Sequence, residues 1–278
     1  MRSIRAVLAW CMLLAGFPVA AWGADADSTA ADPWQDTISP DRPGAATPPS
    51  VLGRGTFQIE TSIESASARA GGVPTVTTVD FPTLLRLGVG HALELRLESN
   101  TLSHQASGVP GSPTGFADLS LEAKWSLIRD SRGLTPAFAL LPAVSIPTGS
   151  SDFSAGQAQP GLGALFGWTL RSGIALNLGA GATDVVDDSG AHSWQLGWEG
   201  AVGIPLQRHW AVSSDVFLTD PLARGSSVEW GADAGVEFYP NPDTQFDAIA
   251  SYTFGDPTDA TSVQIGFSRR WALGRTHR

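Results

Sequence analysis

Apolar and polar side chains alternate along most of the chain, in segments of roughly ten residues that follow one another from Thr56 to Ser268. Alternation at every second residue is typical of a β-strand with two unlike faces. We find twelve such segments, and the pattern is clearest over residues 118–127. The apolar positions there are Leu119, Leu121, Ala123, Trp125 and Leu127, and the polar positions are Asp118, Ser120, Glu122, Lys124 and Ser126. The chain is therefore predicted to be all-β and antiparallel.

The two faces of these predicted strands differ in charge. The apolar faces carry no charged residue, whereas the opposite faces are mostly acidic, with Arg86, Arg96 and Lys124 as their bases. A soluble β-sandwich shows the same alternation, but a membrane barrel also ends its lipid-facing surface in two aromatic belts. Aromatic residues do lie near the predicted connections at both ends of the strands. At one end they are Trp125, Trp168, Trp210, Phe238 and Trp271, and at the other Phe116, Trp194, Trp230, Tyr252 and Phe254. The pattern favours an antiparallel transmembrane β-barrel.

The predicted connections alternate between short and long. The short ones are 88–91, 128–135, 171–173, 205–209 and 240–244, and the longer ones are 65–76, 99–115, 147–160, 183–192, 219–227 and 255–261. Barrels of the bacterial outer membrane have short periplasmic turns and longer outer loops. An even number of strands then leaves both ends of the chain on the periplasmic side.

The beginning of the chain does not show the alternation. Two arginines precede an apolar run that ends in small residues, which predicts a secretory signal peptide over residues 1–23. Residues 24–52 are rich in Pro, Ala, Asp and Ser, and predict an extended or disordered periplasmic arm. The predicted barrel then covers residues 53–271, and a tail covers residues 272–278.

Composition narrows the classes of function. The chain has 27 acidic and 17 basic residues, and Lys124 is its one lysine, so we expect no nucleic-acid partner, which would require a basic face. The single cysteine, Cys11, lies inside the predicted signal peptide, which leaves the mature chain without thiol chemistry or disulfides. No nucleotide-binding or zinc-spacing motif occurs, and we expect neither a metal nor an organic cofactor. Apart from the predicted signal peptide, no stretch of the sequence reaches the length of a membrane-spanning helix, so if the protein enters a membrane it must do so as strands closed into a barrel.

Four motifs stand out, one in the predicted arm and three in the predicted barrel. They are SPDRPG at 39–44, LRLGVG leading to LELRL at 85–97, GFADLSLEAKW at 115–125 and SIPTG at 145–149. Together they resemble the outer-membrane "MetA-pathway of phenol degradation" family, and the resemblance runs over most of residues 39–268. It implies a barrel that acts as a transporter, with some members associated with the breakdown of aromatic compounds.

Three bases share the predicted lumen. Arg86, Arg96 and Lys124 come from three successive strands, and would form a basic ladder that orients polar solutes in a pore. Alternatively, the three bases neutralise buried carboxylates, and we favour this interpretation because a lumen with many carboxylates needs partners for them. The carboxylates concerned are Asp80, Glu94, Glu98, Asp118 and Glu122.

Asp41, Arg42 and Pro43 in the arm allow two roles. This proline-rich stretch either tethers or plugs the lumen from the periplasmic side, or it anchors the entry into the first strand. We favour the anchor.

Some membrane barrels are lipid hydrolases, and His192 with Ser193 comes nearest to a base and nucleophile, with Asp187 or Asp188 close in sequence. Adjacent residues on a strand point to opposite faces, so this pair is poorly placed for the proton transfer that activates a nucleophile. We expect no catalytic residue and no enzyme, and interpret His192 as a histidine at the edge of a loop.

The sequence thus predicts a twelve-stranded outer-membrane barrel that passes small molecules passively. Such a barrel lies between filled barrels of about eight strands and open porins of about 16 to 18, so we expect a narrow or partly obstructed channel. Aromatic or hydrophobic solutes are suggested by the resemblance alone. The expected partners are outer-membrane lipid, the small-molecule solute and, during biogenesis, the barrel assembly machinery. The alternatives are a structural or surface-interaction barrel without transport and a membrane-embedded lipid hydrolase.

Overall fold

The computed structural model describes residues 37–70, 76–106, 111–187, 189–207, 209–222, 226–254 and 258–273. The predicted signal peptide, the first part of the predicted arm and residues 274–278 of the predicted tail lie outside the described residues. Within the described ranges, no helix is long and apolar enough to cross a membrane.

Thirteen strands are found in the described ranges, all in one sheet. They are β1 (Thr56–Ala70), β2 (Val76–Gly88), β3 (Leu93–Ala106), β4 (Thr114–Gly115), β5 (Leu119–Ile128), β6 (Ala137–Ile146), β7 (Gln159–Thr169), β8 (Ala175–Val186), β9 (His192–Gln207), β10 (Trp210–Pro221), β11 (Glu229–Asn241), β12 (Thr244–Phe254) and β13 (Thr258–Ala272).

The sheet closes on itself. Strand β1 pairs antiparallel with β13, from Thr56 opposite Ala272 to Ala70 opposite Thr258, and pairs with β2 along its other edge. Strand β4 is a two-residue addition that pairs with β3, and the other twelve strands follow chain order around the barrel. The predicted antiparallel barrel of twelve strands is confirmed, with β4 as an extra element.

The barrel is inside-out relative to a soluble protein. Glu94 and Lys124 are 0% exposed, whereas Leu95 and Ile265 are 46% and 61% exposed. Polar side chains therefore point to the lumen, and the apolar side chains form the outer surface that a lipid bilayer would cover. The predicted assignment of faces holds at these positions of β3, β5 and β13.

Aromatic residues form two belts on the outer surface, because cross-strand neighbours bring rings together at each end of the barrel. We call the end that holds residues 89–92 and 242–243 the turn end, and the end that holds residues 147–158 the loop end. Toward the turn end, the ring centroids of Trp210 and Phe238 lie 4.7 Å apart, and those of Phe57 and Trp271 lie 5.9 Å apart. Toward the loop end, the rings of Trp230 and Phe254 lie 4.2 Å apart.

The connection lengths differ from the prediction. Strand β1 continues to Ala70 through Ser and Ala residues, where the apolar face that ends at Ile63 gives no further signal. Residues 71–75 separate β1 from β2 and residues 255–257 separate β12 from β13, whereas residues 129–136 lie between β5 and β6. The predicted strict alternation of short and long connections is therefore wrong, although β1 begins and β13 ends at the same rim, as predicted.

Candidate functional site in the barrel lumen

The described part of the predicted arm lies inside the barrel. We call residues 37–52 the arm segment. It starts at the turn end, where the Ile38 N–H donates to the Pro242 carbonyl at 2.6 Å, and it returns there before the Gly55 N–H donates to the Gly88 carbonyl at 2.8 Å. Between these points it forms no strand, and Ile38, Ala46 and Leu52 are buried. The arm segment is thus a loop inserted into the lumen from the turn end.

Carboxylates of the wall accept hydrogen bonds from backbone N–H groups of the arm segment. A buried irregular segment has no strand neighbour to pair with, so its N–H groups need other acceptors. Four wall carboxylates on four strands supply them. The bonds run from Asp41 to Glu60 (2.9 Å), from Ala46 to Asp215 (3.2 Å), from Thr47 to Glu199 (3.1 Å) and from Leu52 to Glu94 (2.7 Å).

Asp41 joins the three lumen bases. Its carboxylate accepts hydrogen bonds from Lys124 Nζ at 2.9 Å to each oxygen, contacts Arg86 Nη1 at 3.1 Å, and forms an ion pair with Arg96. All four side chains are nearly inaccessible to solvent. One carboxylate of the arm segment thus lies at the centre of a basic cluster contributed by β2, β3 and β5.

The wall also provides carboxylates for two of these bases. Arg86 donates in bidentate fashion to Glu94, at 2.7 and 3.0 Å, and to Glu60 at 2.7 Å. Arg96 pairs with Glu122 at 2.7 Å. Lys124 instead donates to the Pro48 carbonyl at 3.1 Å in addition to Asp41. Arg86 and Arg96 are therefore shared between the wall and the arm segment, whereas Lys124 bonds to the arm segment.

Arg42 attaches the arm segment to the other side of the lumen. Its guanidinium donates to Asp247 at 3.0 Å, Gln264 at 2.7 Å and Ser62 at 2.9 Å, which lie on β12, β13 and β1. The adjacent residues Asp41 and Arg42 thus bind groups of opposite charge on different parts of the wall.

Close approach of the arm segment depends on glycines. A Cβ atom at Gly44 would lie 2.0 Å from Asp215 Oδ2, and one at Gly167 would lie 2.8 Å from Pro49. A Cβ at Gly266 would lie 2.5 Å from the Arg42 guanidinium. The wall glycines therefore provide the space that the arm segment fills.

Cavities remain on both sides of the arm segment. On the loop-end side, one of about 520 Å³ is lined by Leu141, Leu165 and Phe217, and one of about 500 Å³ by Arg96 and Phe217. Toward the turn end, a cavity of about 500 Å³ touches Tyr239. The arm segment contributes residues to all three of these cavities and so separates the lumen into two parts.

The sequence model of one family, described as "Putative MetA-pathway of phenol degradation", matches residues 40–271. The chain belongs to this family. The match begins at residue 40, within the arm segment, and extends almost to the end of β13, so the family's sequence model covers most of the arm segment as well as the barrel. No curated protein matches the sequence.

Solved structures share the fold of this family member. An outer membrane channel from Pseudomonas putida F1 has a TM-score of 0.62 at 14% identity, with 83% of this chain and 99% of that chain covered. The translocator domain of the autotransporter NalP from Neisseria meningitidis has a TM-score of 0.52 at 14% identity, covering 79% and 90%. The NanC porin has a TM-score of 0.51 at 12% identity, covering 75% and 98%. At these identities the likeness concerns the fold, which is that of an outer-membrane β-barrel.

The predicted lumen residues do not all join the cluster. Arg86, Arg96, Lys124, Glu94 and Glu122 come together as described, and Glu98 lies beside Glu122. Two others lie apart from the cluster. Asp80 on β2 stands opposite Glu64 and Ser103, and Asp118 precedes β5 and binds the N–H groups of Gly149 and Ala155 in the β6–β7 connection. Asp118 was predicted to face the lumen bases, but its position at the loop end makes it a loop anchor.

His192 has other partners than those considered from the sequence. Its Nδ1 atom lies 2.6 Å from Asp184 Oδ2 and its Nε2 atom 2.9 Å from Gln157 Oε1. Asp187 accepts hydrogen bonds within its own loop, from Ser189 and Ala191. Asp188 lies outside the described residues.

Sequence reasoning did not single out several residues that hold the arm segment. Glu60, Glu199, Asp215 and Asp247 lie on the polar faces of their strands, but nothing in the alternation indicates which carboxylates bind the arm segment. The dense acidity of the inner wall was the available signal, because buried carboxylates require donors.

Proposed function

We propose that the chain is a passive outer-membrane channel for small molecules and that the arm segment is its plug. The observation that carries this proposal is the insertion of residues 37–52 between cavities on the two sides of a closed barrel. A segment that merely anchored the entry into β1 would not need to reach Asp215 on β10 and Glu199 on β9. The family and the fold described above support a channel.

The character of the inner wall supports a solute with an apolar part. The sequence predicted a polar lumen, but Ala139 and Leu165 are buried on the inner side of β6 and β7, and Leu141 lines the same cavity as Leu165. Gly163 and Gly181 leave this part of the wall without bulky side chains. Phe217 adds an aromatic ring. We propose that small aromatic or hydrophobic compounds pass along this apolar side, which begins on β6, next to the β5 strand of the basic cluster.

The basic ladder has a place in the same proposal. While the arm segment is inserted, Asp41 occupies the inward side of Arg86, Arg96 and Lys124. The three bases can therefore guide a solute only after the arm segment leaves them.

Conductance in planar bilayers tests the plug. The exported chain should conduct weakly, and deletion of residues 24–50 should raise the conductance severalfold, because the lumen would lose its obstruction. Correct folding of both proteins is checked by the heat-dependent shift of barrel proteins in gel electrophoresis. Unchanged conductance of a folded deletion variant would exclude a plug, and absence of conductance in both proteins would contradict the channel.

Charge reversal at Arg96 tests guidance. In the arm-deletion background, Arg96→Glu should lower the permeability ratio of anions to cations, with Arg270→Glu at the turn end as the control. An unaltered ratio would contradict a guiding role of the basic cluster.

A further inference from the structure

Lys124 depends on the arm segment for its hydrogen bonds. Its ammonium group is fully buried, and among the described residues its acceptors are the two oxygens of Asp41 and the carbonyl of Pro48. All three atoms belong to the arm segment. Withdrawal of the arm segment would therefore remove all three acceptors at once and leave the ammonium group to lumen water or to another anion.

The arginines differ from Lys124 in this respect. Arg86 retains Glu94 and Glu60 on the wall, and Arg96 retains Glu122. Arg96 would still lose the partner of its Nη1 atom, which is Asp41. The wall thus leaves an anion-binding site between Lys124 and Arg96 without a carboxylate of its own. The Asp41 carboxylate of the arm segment occupies this site.

An apolar cavity adjoins this anion-binding site. The cavity of about 520 Å³ on the loop-end side is lined by Leu141, Leu165 and Phe217. Its carboxylates are Glu122, the partner of Arg96, and Glu199, which accepts the Thr47 N–H of the arm segment. Its size lies within the usual range for small-molecule sites. A ligand that reaches the basic cluster from the loop end would therefore bring its charged group to Lys124 and leave its body against an apolar wall.

We infer that a monocarboxylate with an apolar body of about the size of an aromatic ring opens the channel by replacing Asp41 on Lys124 and Arg96. This inference rests on the proposed function, and it adds the class of solute and the event that releases the plug. Such a solute binds only where the Asp41 carboxylate has left, so it favours the state with the arm segment withdrawn. A neutral compound cannot replace the charge, and a small carboxylate lacks the contact with the apolar wall.

Three probes separate these requirements. Benzoate has the charge and the ring, benzyl alcohol has the ring without the charge, and acetate has the charge without the ring. Conductance of the exported chain in planar bilayers should rise with benzoate and not with equal concentrations of the other two. A nitroxide at Ala45→Cys, an exposed position of the arm segment in a mature chain without other cysteines, should become more mobile with benzoate alone.

Two substitutions should act in opposite directions. Lys124→Met removes the ammonium group of the anion-binding site and should raise the half-maximal benzoate concentration at least tenfold. Asp41→Asn weakens the competing group and should lower that concentration severalfold. If the two residues had a purely structural role, the half-maximal benzoate concentration would change in the same direction in both variants. Asp243→Asn, which alters an exposed ion pair with Arg270 at the turn end, is the control and should leave the benzoate response unchanged.

The outcomes distinguish the two proposals. If the arm deletion conducts but benzoate neither opens the intact chain nor mobilises the label, the carboxylate inference is wrong and the channel stands. An equal effect of benzyl alcohol would overturn the role of charge, and an equal effect of acetate would overturn the role of the apolar wall. A folded arm deletion that does not conduct would contradict the channel itself.

Discussion

The ammonium group of Lys124 on β5 donates to both carboxylate oxygens of Asp41, 2.9 Å from each, although the two residues lie far apart in the chain. Lys124 is the one lysine of the chain, and its side chain is fully buried. Because a buried ammonium group without a partner is costly, the contact fixes the depth at which the arm segment sits in the lumen. The same contact makes the arm segment sensitive to the charge of Asp41.

We therefore expect Asp41→Asn to loosen the arm segment without unfolding the barrel. Breaking a buried ion pair costs about 3 kcal/mol or more, which corresponds to about a hundredfold faster local opening. Hydrogen exchange followed by mass spectrometry should show this acceleration at the amides of Ala46, Thr47 and Leu52, which bind wall carboxylates. Amides of β7 and β8 should exchange as in the wild type.

The matched control for this change is Asp243→Asn. Asp243 pairs with Arg270 at 2.8 Å, and its side chain is 52% exposed. Exposed ion pairs contribute less than about 1 kcal/mol, so exchange in the arm segment should change by less than about fivefold. Equal acceleration in the two variants would show that Asp41 does not hold the arm segment.

Gly44→Ala should displace the arm segment by a steric route. The new Cβ atom would lie 2.0 Å from Asp215 Oδ2, so either the carboxylate or the arm segment must shift and weaken the bond from the Ala46 N–H. Overpacking of this kind costs about 1–3 kcal/mol. The variant should therefore conduct more than the wild type in planar bilayers.

Gly53→Ala is the control for Gly44→Ala. The nearest atom to a Cβ there is Thr56 Oγ1 at 3.8 Å, which is an ordinary contact. The conductance of Gly53→Ala should equal that of the wild type. A similar rise in both variants would indicate a general effect of replacing glycine before β1 rather than the clash with Asp215.

The barrel was predictable because the alternation of apolar and polar residues repeats in every strand. On β5 the same two-residue period that exposes Leu121 and Trp125 also buries Lys124, and a rule that applies to every strand tolerates local errors. Strand ends were less predictable, since Ser and Ala continue β1 to Ala70 without an apolar signal.

The site was predictable only in part. Arg86, Arg96 and Lys124 were recognised from their inward positions, because each position on a strand determines its face. The central role of Asp41 was not, because the arm segment has no period and its place depends on contacts across the closed barrel. The two-residue period alone predicts that Asp118 faces the lumen bases. In the structure Asp118 lies just before β5 and accepts hydrogen bonds from backbone N–H groups of a loop.

A charge on the outer surface tests the orientation of the barrel toward lipid. Ile265 lies in the middle of β13 and is 61% exposed, so Ile265→Arg would place a guanidinium in the bilayer. The expected loss is about 2–4 kcal/mol in the free energy of unfolding, measured by denaturant titration in lipid vesicles. Leu134→Arg, in the connection between β5 and β6, should cost less than about 1 kcal/mol because the side chain lies near the interface. Equal losses would contradict a lipid-facing β13.

Asp118 should make the order of the β6–β7 connection dependent on pH. Burial alone would raise the pKa of Asp118, but hydrogen bonds from the Ser154 hydroxyl and from the N–H groups of Gly149 and Ala155 outweigh burial and lower the pKa. The contribution of Asp118 is therefore complete above its ordinary pKa of about 4 and is lost as the pH falls below that value. Amide protection at Gly149 and Ala155, corrected for intrinsic rates, should remain constant from pH 7 to about 4 and then decline.

Asp118→Asn should show the low-pH behaviour at neutral pH. An amide is a weaker acceptor than a carboxylate, and solvent screening limits the difference at this half-exposed site to about 1 kcal/mol, or about fivefold in local opening. Chymotrypsin should cleave after Phe153, within the same connection, faster in this variant than in the wild type. Asp152→Asn changes the charge of the connection equally but removes an exposed carboxylate, so its cleavage rate should match the wild type. Equal acceleration in both variants would assign the effect to the net charge of the connection instead of the hydrogen bonds of Asp118.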